Sequence, residues 1–149
     1  MKSEERELRW IQESPPYWDA AKARIIGAAP PGTFGPDRLS RLRDGDLLPG
    51  DWFRVEAGDR VVGFGWMDTT WGDAEILLAV DPERRNVGVG SFILDHLEEE
   101  ARARGLNYVY NTVSPRHPDG AGVTAWLERR HFTSFEDGSL RHGLASVEP

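Results

Sequence analysis

The stretch that most constrains the fold of this chain lies at residues 74–105. It begins with an apolar run at residues 76–80, whose length and partly β-branched composition are typical of a buried strand. Asp81-Pro82 then predicts a turn. From Ser91 onwards, apolar side chains recur at helical spacing, so the stretch predicts a strand, a loop and a helix in succession.

The loop between this strand and helix is basic and contains Gly88 and Gly90. The first N–H groups of a helix have no partner within the helix, and the helix dipole places partial positive charge there. Glycine lets the backbone approach an anion closely, because no Cβ atom intervenes. Arg84 and Arg85 would add charge-assisted hydrogen bonds. The arrangement therefore predicts a site for a pyrophosphate group.

The spacing of the glycines does not fit two common phosphate-binding motifs. The dinucleotide fingerprint requires a third glycine where this chain has Ile93, and the P-loop requires a lysine that this loop lacks. The sequence present is Arg85-x-x-Gly88-x-Gly90, which resembles the R/Q-x-x-G-x-G/A signature of the GNAT superfamily of N-acetyltransferases. A plain strand–loop–helix connection, whose glycines only ease a turn, is the alternative interpretation.

The resemblance implies that the loop holds the pyrophosphate of acetyl-CoA, the co-substrate of this superfamily. It also implies that the strand before the loop separates from the strand after the helix. The pantetheine arm of acetyl-CoA is then expected to enter the gap and pair with main-chain groups. The residues expected at acetyl-CoA are Leu78, Ala79, Val80, Arg84, Arg85, Asn86, Val87, Gly88, Val89, Gly90 and Ser91, with Asn111 and Thr112 across the gap.

The rest of the chain supplies a compatible order of elements. Further strands are predicted at residues 7–12, 52–56, 61–67, 106–113, 131–135 and 139–145, and further helices at 17–28, 37–43 and 123–130. The resemblance implies an α+β fold, with a mixed, mostly antiparallel sheet of about seven strands and a central β-α-β unit that binds acetyl-CoA. The length of the chain, 149 residues, predicts a single domain, residues 1–149.

Composition argues against several classes of protein. Six tryptophans and an apolar content of 39% argue against disorder, and no apolar run approaches the roughly 20 residues that span a membrane. A net charge of −7 with scattered basic residues argues against nucleic acid as a partner. The lack of cysteine excludes disulfides and thiolate metal ligands, and no metal site is predicted. The charged N-terminal residues carry no apolar signal core, so a cytoplasmic location is expected, with a homodimer left open.

The reaction that the resemblance implies is direct attack of an amine, from a small molecule or a peptide, on acetyl-CoA. The amine must be neutral to attack, so a base or a water relay accepts its proton. A main-chain N–H near Val80 is expected to stabilise the oxyanion. Matching residues 78–80 to the family pattern places Glu75, the first candidate for the base, one residue out of register, which predicts a side chain on the other face of the strand. The further candidates for the base are Asp73, Asp68 and His117.

Three positions depart from the family pattern. Many members carry a tyrosine, in a segment like Y-E-K-x-G-F, that protonates the leaving thiolate. In this chain Leu127 stands at the tyrosine position, His131 at the glycine position, and Gly120 where an asparagine is usual. Water or Ser114 could protonate the thiolate instead. Two alternatives to an enzyme stay open: a non-catalytic acyl-CoA-binding sensor or regulatory module of the same fold, and an interaction domain without CoA.

The acceptor is expected to bind among aromatic side chains of the first half of the chain. Apolar walls with a few polar groups suit a small-molecule pocket. The candidates are Trp66, Trp71 and Phe34, of which the two tryptophans flank the turn before the central strand. The alternative is that these rings belong to the core, where large aromatic residues commonly pack.

Overall fold

A computed structural model of the chain describes residues 7–27, 42–84, 88–113 and 117–144. The strands are β1 (Leu8–Glu13), β2 (Asp51–Ala57), β3 (Arg60–Thr70), β4 (Asp73–Val80), β5 (Tyr108–Thr112), β6 (Thr133–Ser134) and β7 (Ser139–Gly143). The helices are α1 (Ala20–Ile26), α2 (Val89–Ala103) and α3 (Gly120–Arg129). None of these helices is long and apolar enough to cross a lipid bilayer.

The seven strands form one sheet in the order β1-β2-β3-β4-β5-β7-β6. Among the described strands only β4 and β5 run parallel, and α2 connects them, whereas every other neighbouring pair is antiparallel. A parallel pair requires a crossover connection of this kind. The predicted α+β fold, with a mostly antiparallel sheet and a central β-α-β unit, is therefore confirmed.

Helices cover both faces of the sheet. On one face α2 buries Ile93, Leu94 and Leu97 in a core to which α3 adds Leu127. On the other face α1 buries Ile25 and Ile26 in a second cluster, which contains Trp52, Phe64 and Trp66. Alternate residues of the central strands therefore face different helices, as the period of two along a strand requires.

Two glycines of β3 set how close α2 lies to the sheet. A Cβ atom at Gly63 would come within 3.0 Å of the Ala79 carbonyl oxygen and of Cδ1 of Ile93. A Cβ atom at Gly65 would come within 3.0 Å of Cγ2 of Ile93. Larger residues would push the helix away from the sheet. The glycines therefore also fix the first turn of α2 beside the end of β4.

The first helix is shorter than the one predicted at residues 17–28. Asp19 caps it, since Oδ1 accepts a hydrogen bond from the N–H of Lys22 (2.9 Å) and satisfies a donor of the first turn. Tyr17, ahead of this cap, pairs instead with Leu47 in an isolated β-bridge. The helix predicted at residues 37–43 falls mostly on positions outside the described residues.

Candidate functional site

The central strands β4 and β5 pair only at their beginnings. Their pairing ends at Glu75↔Tyr110 along the described strands. Beyond that point Nδ2 of Asn111 donates a hydrogen bond to the carbonyl oxygen of Ile76 (2.8 Å). This side-chain hydrogen bond replaces the main-chain hydrogen bond that continued strand pairing would provide. The strands then separate toward the C-terminal end of β4 and leave a gap in the sheet.

The direction of the main-chain groups along β4 decides which residues face this gap. Successive residues of a strand direct their N–H and C=O groups to opposite neighbours. The carbonyl of Ile76 faces β5, whereas the N–H of Asp81 donates to the Val62 carbonyl on the β3 side (2.8 Å). Leu78 and Val80 therefore direct their main-chain groups into the gap.

Ala79 is also predicted to offer its main-chain groups to the pantetheine arm, and the residue lines the cavity. Because Ala79 lies between Leu78 and Val80 in the strand, its main-chain N–H and C=O groups point to β3. Its carbonyl oxygen lies on the β3 side, within 3.0 Å of where a Cβ atom of Gly63 would stand. Only the side chain of Ala79 is left to line the gap.

A cavity of about 460 Å³ fills the gap and continues to the start of α2. The residues predicted at acetyl-CoA that line it are Leu78, Ala79, Val80, Arg84, Gly88, Gly90, Ser91, Asn111 and Thr112. Val89 does not, because its side chain is 2% exposed and packs into the core under α2. Arg85, Asn86 and Val87 lie outside the described residues.

The first turn of α2 suits an anion. Its N-cap is Gly88, which adopts φ 89, a conformation that favours glycine, and has no side chain to cap the helix. A Cβ atom at Gly90 would lie 3.8 Å from both Trp126 and Val80, so this position has room in the cavity wall. Uncapped N–H groups beside an open space are the features that bind phosphate. The described residues therefore fit the pyrophosphate and pantetheine of acetyl-CoA.

Asp81 fixes the chain where β4 leads into the loop. Its side chain is buried, and Oδ2 accepts hydrogen bonds from Arg24 (2.7 Å) and Arg60 (3.1 Å). Oδ1 accepts one from the N–H of Glu83 (3.0 Å). Burial acts to raise the pKa of Asp81, but these hydrogen bonds outweigh it, and the pKa lies below the usual 3.8. In the sequence, Asp81-Pro82 indicates only a turn, because both arginines are distant in the chain.

Helix α3 forms a wall of the cavity. The residues of α3 that line the cavity are Gly122, Val123, Trp126 and Leu127. Leu127 is 4% exposed and holds the position of the family's tyrosine, but a leucine has no proton to donate. The apolar spacing of this segment indicated a helix, and it did not indicate which neighbour the helix would face.

The end of α3 shows what His131 does at the family's glycine position. The N–H of His131 donates to the Glu128 carbonyl (3.1 Å), and the N–H of Phe132 donates to the Leu127 carbonyl (3.1 Å). This pair of bonds is a Schellman motif, whose C′ residue is left-handed and usually glycine. His131 has φ 77 there. The motif also explains why the strand predicted at 131–135 is reduced to β6.

The three carboxylate candidates for the base do not line the cavity among the described residues. Glu75 lies on the α1 face of β4, between Asp68 on β3 and Tyr110 on β5. Burial raises the pKa of Tyr110, and the charges of Glu75 and Asp68 raise it further. Asp73 starts β4 at the paired end, beside Tyr108, whose pKa it raises by accepting a hydrogen bond.

His117 does line the cavity, and its tautomer follows from one contact. Nδ1 lies 2.9 Å from the main-chain nitrogen of Asp119. A main-chain N–H can only donate, so Nδ1 accepts, and the proton of the neutral ring is on Nε2. In this state His117 offers a ligand a donor rather than a base.

The two described aromatic candidates for the acceptor site, Trp66 and Trp71, do not line the cavity. Trp66 is 6% exposed and belongs to the core beside α1, where Nε1 donates to the Pro49 carbonyl (3.3 Å). Trp71 is 94% exposed in the turn between β3 and β4. The core interpretation therefore holds for Trp66. Phe34 lies outside the described residues.

Sequence comparisons identify the family. A model described as the acetyltransferase (GNAT) family matches residues 5–131. A mycothiol acetyltransferase from Clavibacter michiganensis is 32% identical over 100 residues, which cover 62% of this chain and 31% of that protein. The chain thus spans about a third of the length of this relative.

Solved structures share the fold. A protein described as a GNAT-family acetyltransferase from Desulfovibrio desulfuricans has a TM-score of 0.58 at 20% identity, over 64% of this chain and 71% of its own. N-acetylglutamate synthase from Neisseria gonorrhoeae, solved with coenzyme A and L-arginine, has a TM-score of 0.56 at 19% identity, over 64% and 25%. The family match spans most of the sequence and agrees with this architecture. The chain belongs to the acetyltransferase (GNAT) family, whose typical co-substrate is acetyl-CoA.

Proposed function

We propose that this protein transfers an acetyl group from acetyl-CoA to an amine of a small molecule or a peptide. One observation carries the proposal: the gap between β4 and β5 opens onto the uncapped first turn of α2, and a single cavity joins them. Main-chain groups of Leu78 and Val80 are available to the pantetheine arm. The N–H groups at Gly88 and Gly90 are available to the pyrophosphate.

Main-chain groups supply most of the chemistry in this proposal. Acetyl-CoA brings an activated acyl carbon and a thiolate that leaves readily. An N–H of β4 at Leu78 or Val80 stabilises the negative charge that develops on the carbonyl oxygen. The closed end of the gap, at Asn111 and Ile76, limits how deep the acyl group enters, and holding it there supplies orientation. A water chain takes the proton of the amine, since Asp68, Asp73 and Glu75 do not line the cavity and Asp119, which does, caps α3 by accepting from the N–H of Gly122.

Charge on the α1 face supports an amine as the acceptor. Asp68 and Glu75 lie opposite each other on β3 and β4, beside the point where β4 and β5 separate. Two neighbouring carboxylates raise the local concentration of cationic molecules. An amine that is protonated in solution would therefore collect at this end of the gap, and it would lose its proton before attack. The carboxylates have an electrostatic role in this proposal.

A non-catalytic acyl-CoA-binding module is the second candidate. Leu127 favours it, because the family's usual proton donor is replaced by a residue that cannot donate. The two candidates predict the same binding of CoA and differ only in turnover.

The test is thiol release from acetyl-CoA across a panel of amines, amino acids and amine-containing antibiotics, with CoA binding measured in parallel by thermal shift. We expect CoA to raise the melting temperature and at least one amine class to accelerate thiol release. At a ligand concentration a hundred times Kd, binding adds roughly 2.7 kcal/mol to the stability. Stabilisation by CoA without turnover for any amine would favour the non-catalytic module. No stabilisation at millimolar CoA would exclude both candidates.

A further inference from the structure

Arg130 extends from the end of α3 to the first turn of α2. Its guanidinium donates a hydrogen bond to the hydroxyl of Ser91 and lies 5.1 Å from the centroid of the Trp126 ring. Ser91 and Trp126 both line the cavity. The side chain of Arg130 is 32% exposed, so its head group is open to a ligand beside these two cavity residues.

The position of this guanidinium is fixed from two sides. Arg130 is the C-cap of α3, where the Schellman bonds of His131 and Phe132 hold the backbone. Trp126, one helical turn earlier, supports the planar head group by a cation–π contact. A ligand would therefore meet a preorganised cation, which loses less side-chain entropy on binding than a free arginine does.

The charge of Arg130 has only a weak carboxylate partner among the described residues. The N-terminal end of a helix carries partial positive charge, so a cation beside the first turn of α2 is unfavourable unless an anion joins it. The described carboxylate near it is Asp95, whose Oδ1 lies 3.7 Å from Nη1 and whose side chain is 67% exposed. That distance is too long for a hydrogen bond, and exposed pairs of this kind contribute little. The arrangement favours an added anion.

We propose that Arg130 binds a phosphate group of CoA, together with the first turn of α2. The inference rests on the proposed function for the identity of the ligand. It adds the end of α3 to the phosphate site, which the glycine motif confines to the loop after β4. A guanidinium offers several N–H donors in one plane, and the described contacts at Ser91 and Asp95 leave donors for phosphate oxygens.

The test compares the dissociation constants of CoA for the wild type and for Arg130→Gln, Arg130→Lys and Arg129→Ala at one salt concentration. Arg129 is the matched control, because it is the adjacent arginine, has the same charge and is exposed on α3. We expect Arg130→Gln to raise the dissociation constant of CoA roughly tenfold to a hundredfold, which is the effect of losing a charge-assisted hydrogen bond. Arg130→Lys should recover part of the loss, and Arg129→Ala should change Kd less than about twofold.

Pantetheine, which lacks every phosphate of CoA, separates a phosphate contact from a change in the fold. It should bind the wild type and Arg130→Gln equally. The assignment would be overturned if Arg130→Gln lowered the affinity for pantetheine as much as the affinity for CoA. It would also be overturned if the Arg129 and Arg130 variants lost equal affinity for CoA. If the wild type binds no CoA, the proposed function and the assignment fail together. If the wild type binds CoA and Arg130→Gln binds it equally well, the assignment alone fails.

Discussion

Asn111 donates its side-chain amide to the main-chain carbonyl of Ile76 at 2.8 Å, where β4 and β5 separate. The bond gives that carbonyl the partner which continued strand pairing would have supplied. Leu78 and Val80 lie beyond it and keep their main-chain groups directed into the gap. This contact therefore closes the paired region and defines one end of the candidate site.

Replacement of Asn111 tests this relationship directly. Asn111→Asp places a carboxylate against the carbonyl oxygen of Ile76, and we expect it to lower the free energy of unfolding by about 1–3 kcal/mol. Asn111→Ala removes one hydrogen bond without repulsion and should cost about 1 kcal/mol. Thr112→Ala, at the exposed neighbour, should stay within about 0.5 kcal/mol of the wild type. Urea denaturation measures all three, and equal stability of Asn111→Asp and Thr112→Ala would contradict a structural role for the bond.

Substitution of Gly90 should separate binding from folding. Its Cβ position lies 3.8 Å from its nearest neighbours, Trp126 and Val80, so Gly90→Ala should fold and keep most of its affinity for CoA. Gly90→Asp places a negative charge where the pyrophosphate is proposed to sit. Opposed like charges cost several kcal/mol, so its affinity should fall more than about a hundredfold. Calorimetric titration with CoA measures the two variants, and unchanged binding by a folded Gly90→Asp would place the anion elsewhere.

The sequence predicted the part of the site that depends on local patterns. The glycine spacing pointed to Gly88 and Gly90, and the family resemblance pointed to Leu78 and Val80; all four residues line the cavity. The direction of the main-chain groups of Ala79 depends on pairing with β3, which the sequence of β4 does not contain. An apolar strand predicts that its residues are buried without specifying which neighbour each one faces.

Long-range partners explain the other differences between sequence and structure. Asp81 reads as a turn residue, since the arginines that hold it, Arg24 and Arg60, lie far away in the chain. Trp66 and Trp71 have the same residue type and lie close in sequence, yet one is buried and the other is almost fully exposed. Aromatic character alone does not distinguish a core side chain from one in a turn.

His131 occupies a position whose backbone geometry favours glycine. Left-handed geometry costs an L-residue about 1–2 kcal/mol, and glycine avoids this cost. Part of the resulting gain in stability is lost, because glycine has more conformational freedom in the unfolded chain. We expect His131→Gly to raise the free energy of unfolding by about 0.5–1 kcal/mol, or the melting temperature by roughly 1–4 °C. His131→Ala is the control, because it removes the ring and keeps the unfavourable φ. Equal melting temperatures of the two variants would show that the backbone stores no strain here.

Asp81 should contribute stability that depends on pH. Its folded pKa lies below the usual 3.8, so its contribution is complete above about pH 4 and is lost as pH falls through the folded pKa. Asp81→Asn keeps an acceptor for the Glu83 N–H, but it removes the negative partner of Arg24 and one of the two carboxylates, Asp81 and Glu83, that Arg60 contacts. We expect it to cost about 1.5–3 kcal/mol at neutral pH. Chemical denaturation of both proteins from pH 7 to pH 3 should show the difference shrinking below about pH 4, and a constant difference would contradict ionisation as its source.

Loss of any single candidate base should leave acetyltransferase activity measurable. Asp68, Asp73 and Glu75 do not line the cavity among the described residues, and His117 accepts from the Asp119 N–H at the nitrogen that a base would use. Every such variant keeps the orientation of the acyl group in the gap and the main-chain contact to the oxyanion. Loss of a dedicated base typically costs about 10²–10⁴-fold. We expect each variant to lose less than about a hundredfold in rate. The loss should shrink as pH approaches the pKa of the acceptor amine, because more of the amine is then already neutral.

The measurement is the pH–rate profile of Glu75→Gln, Asp73→Asn, Asp68→Asn and His117→Ala beside the wild type. Glu75 is the decisive variant, since it lies on the α1 face of β4 at the position where the pairing with β5 ends. A fall of more than about a thousandfold in Glu75→Gln alone, with loss of the acidic limb of the profile, would identify Glu75 as a dedicated base. The water chain proposed here would then have to pass through that carboxylate. Similar, modest losses in all four variants would leave proton removal to solvent and most of the catalysis to the main chain of β4.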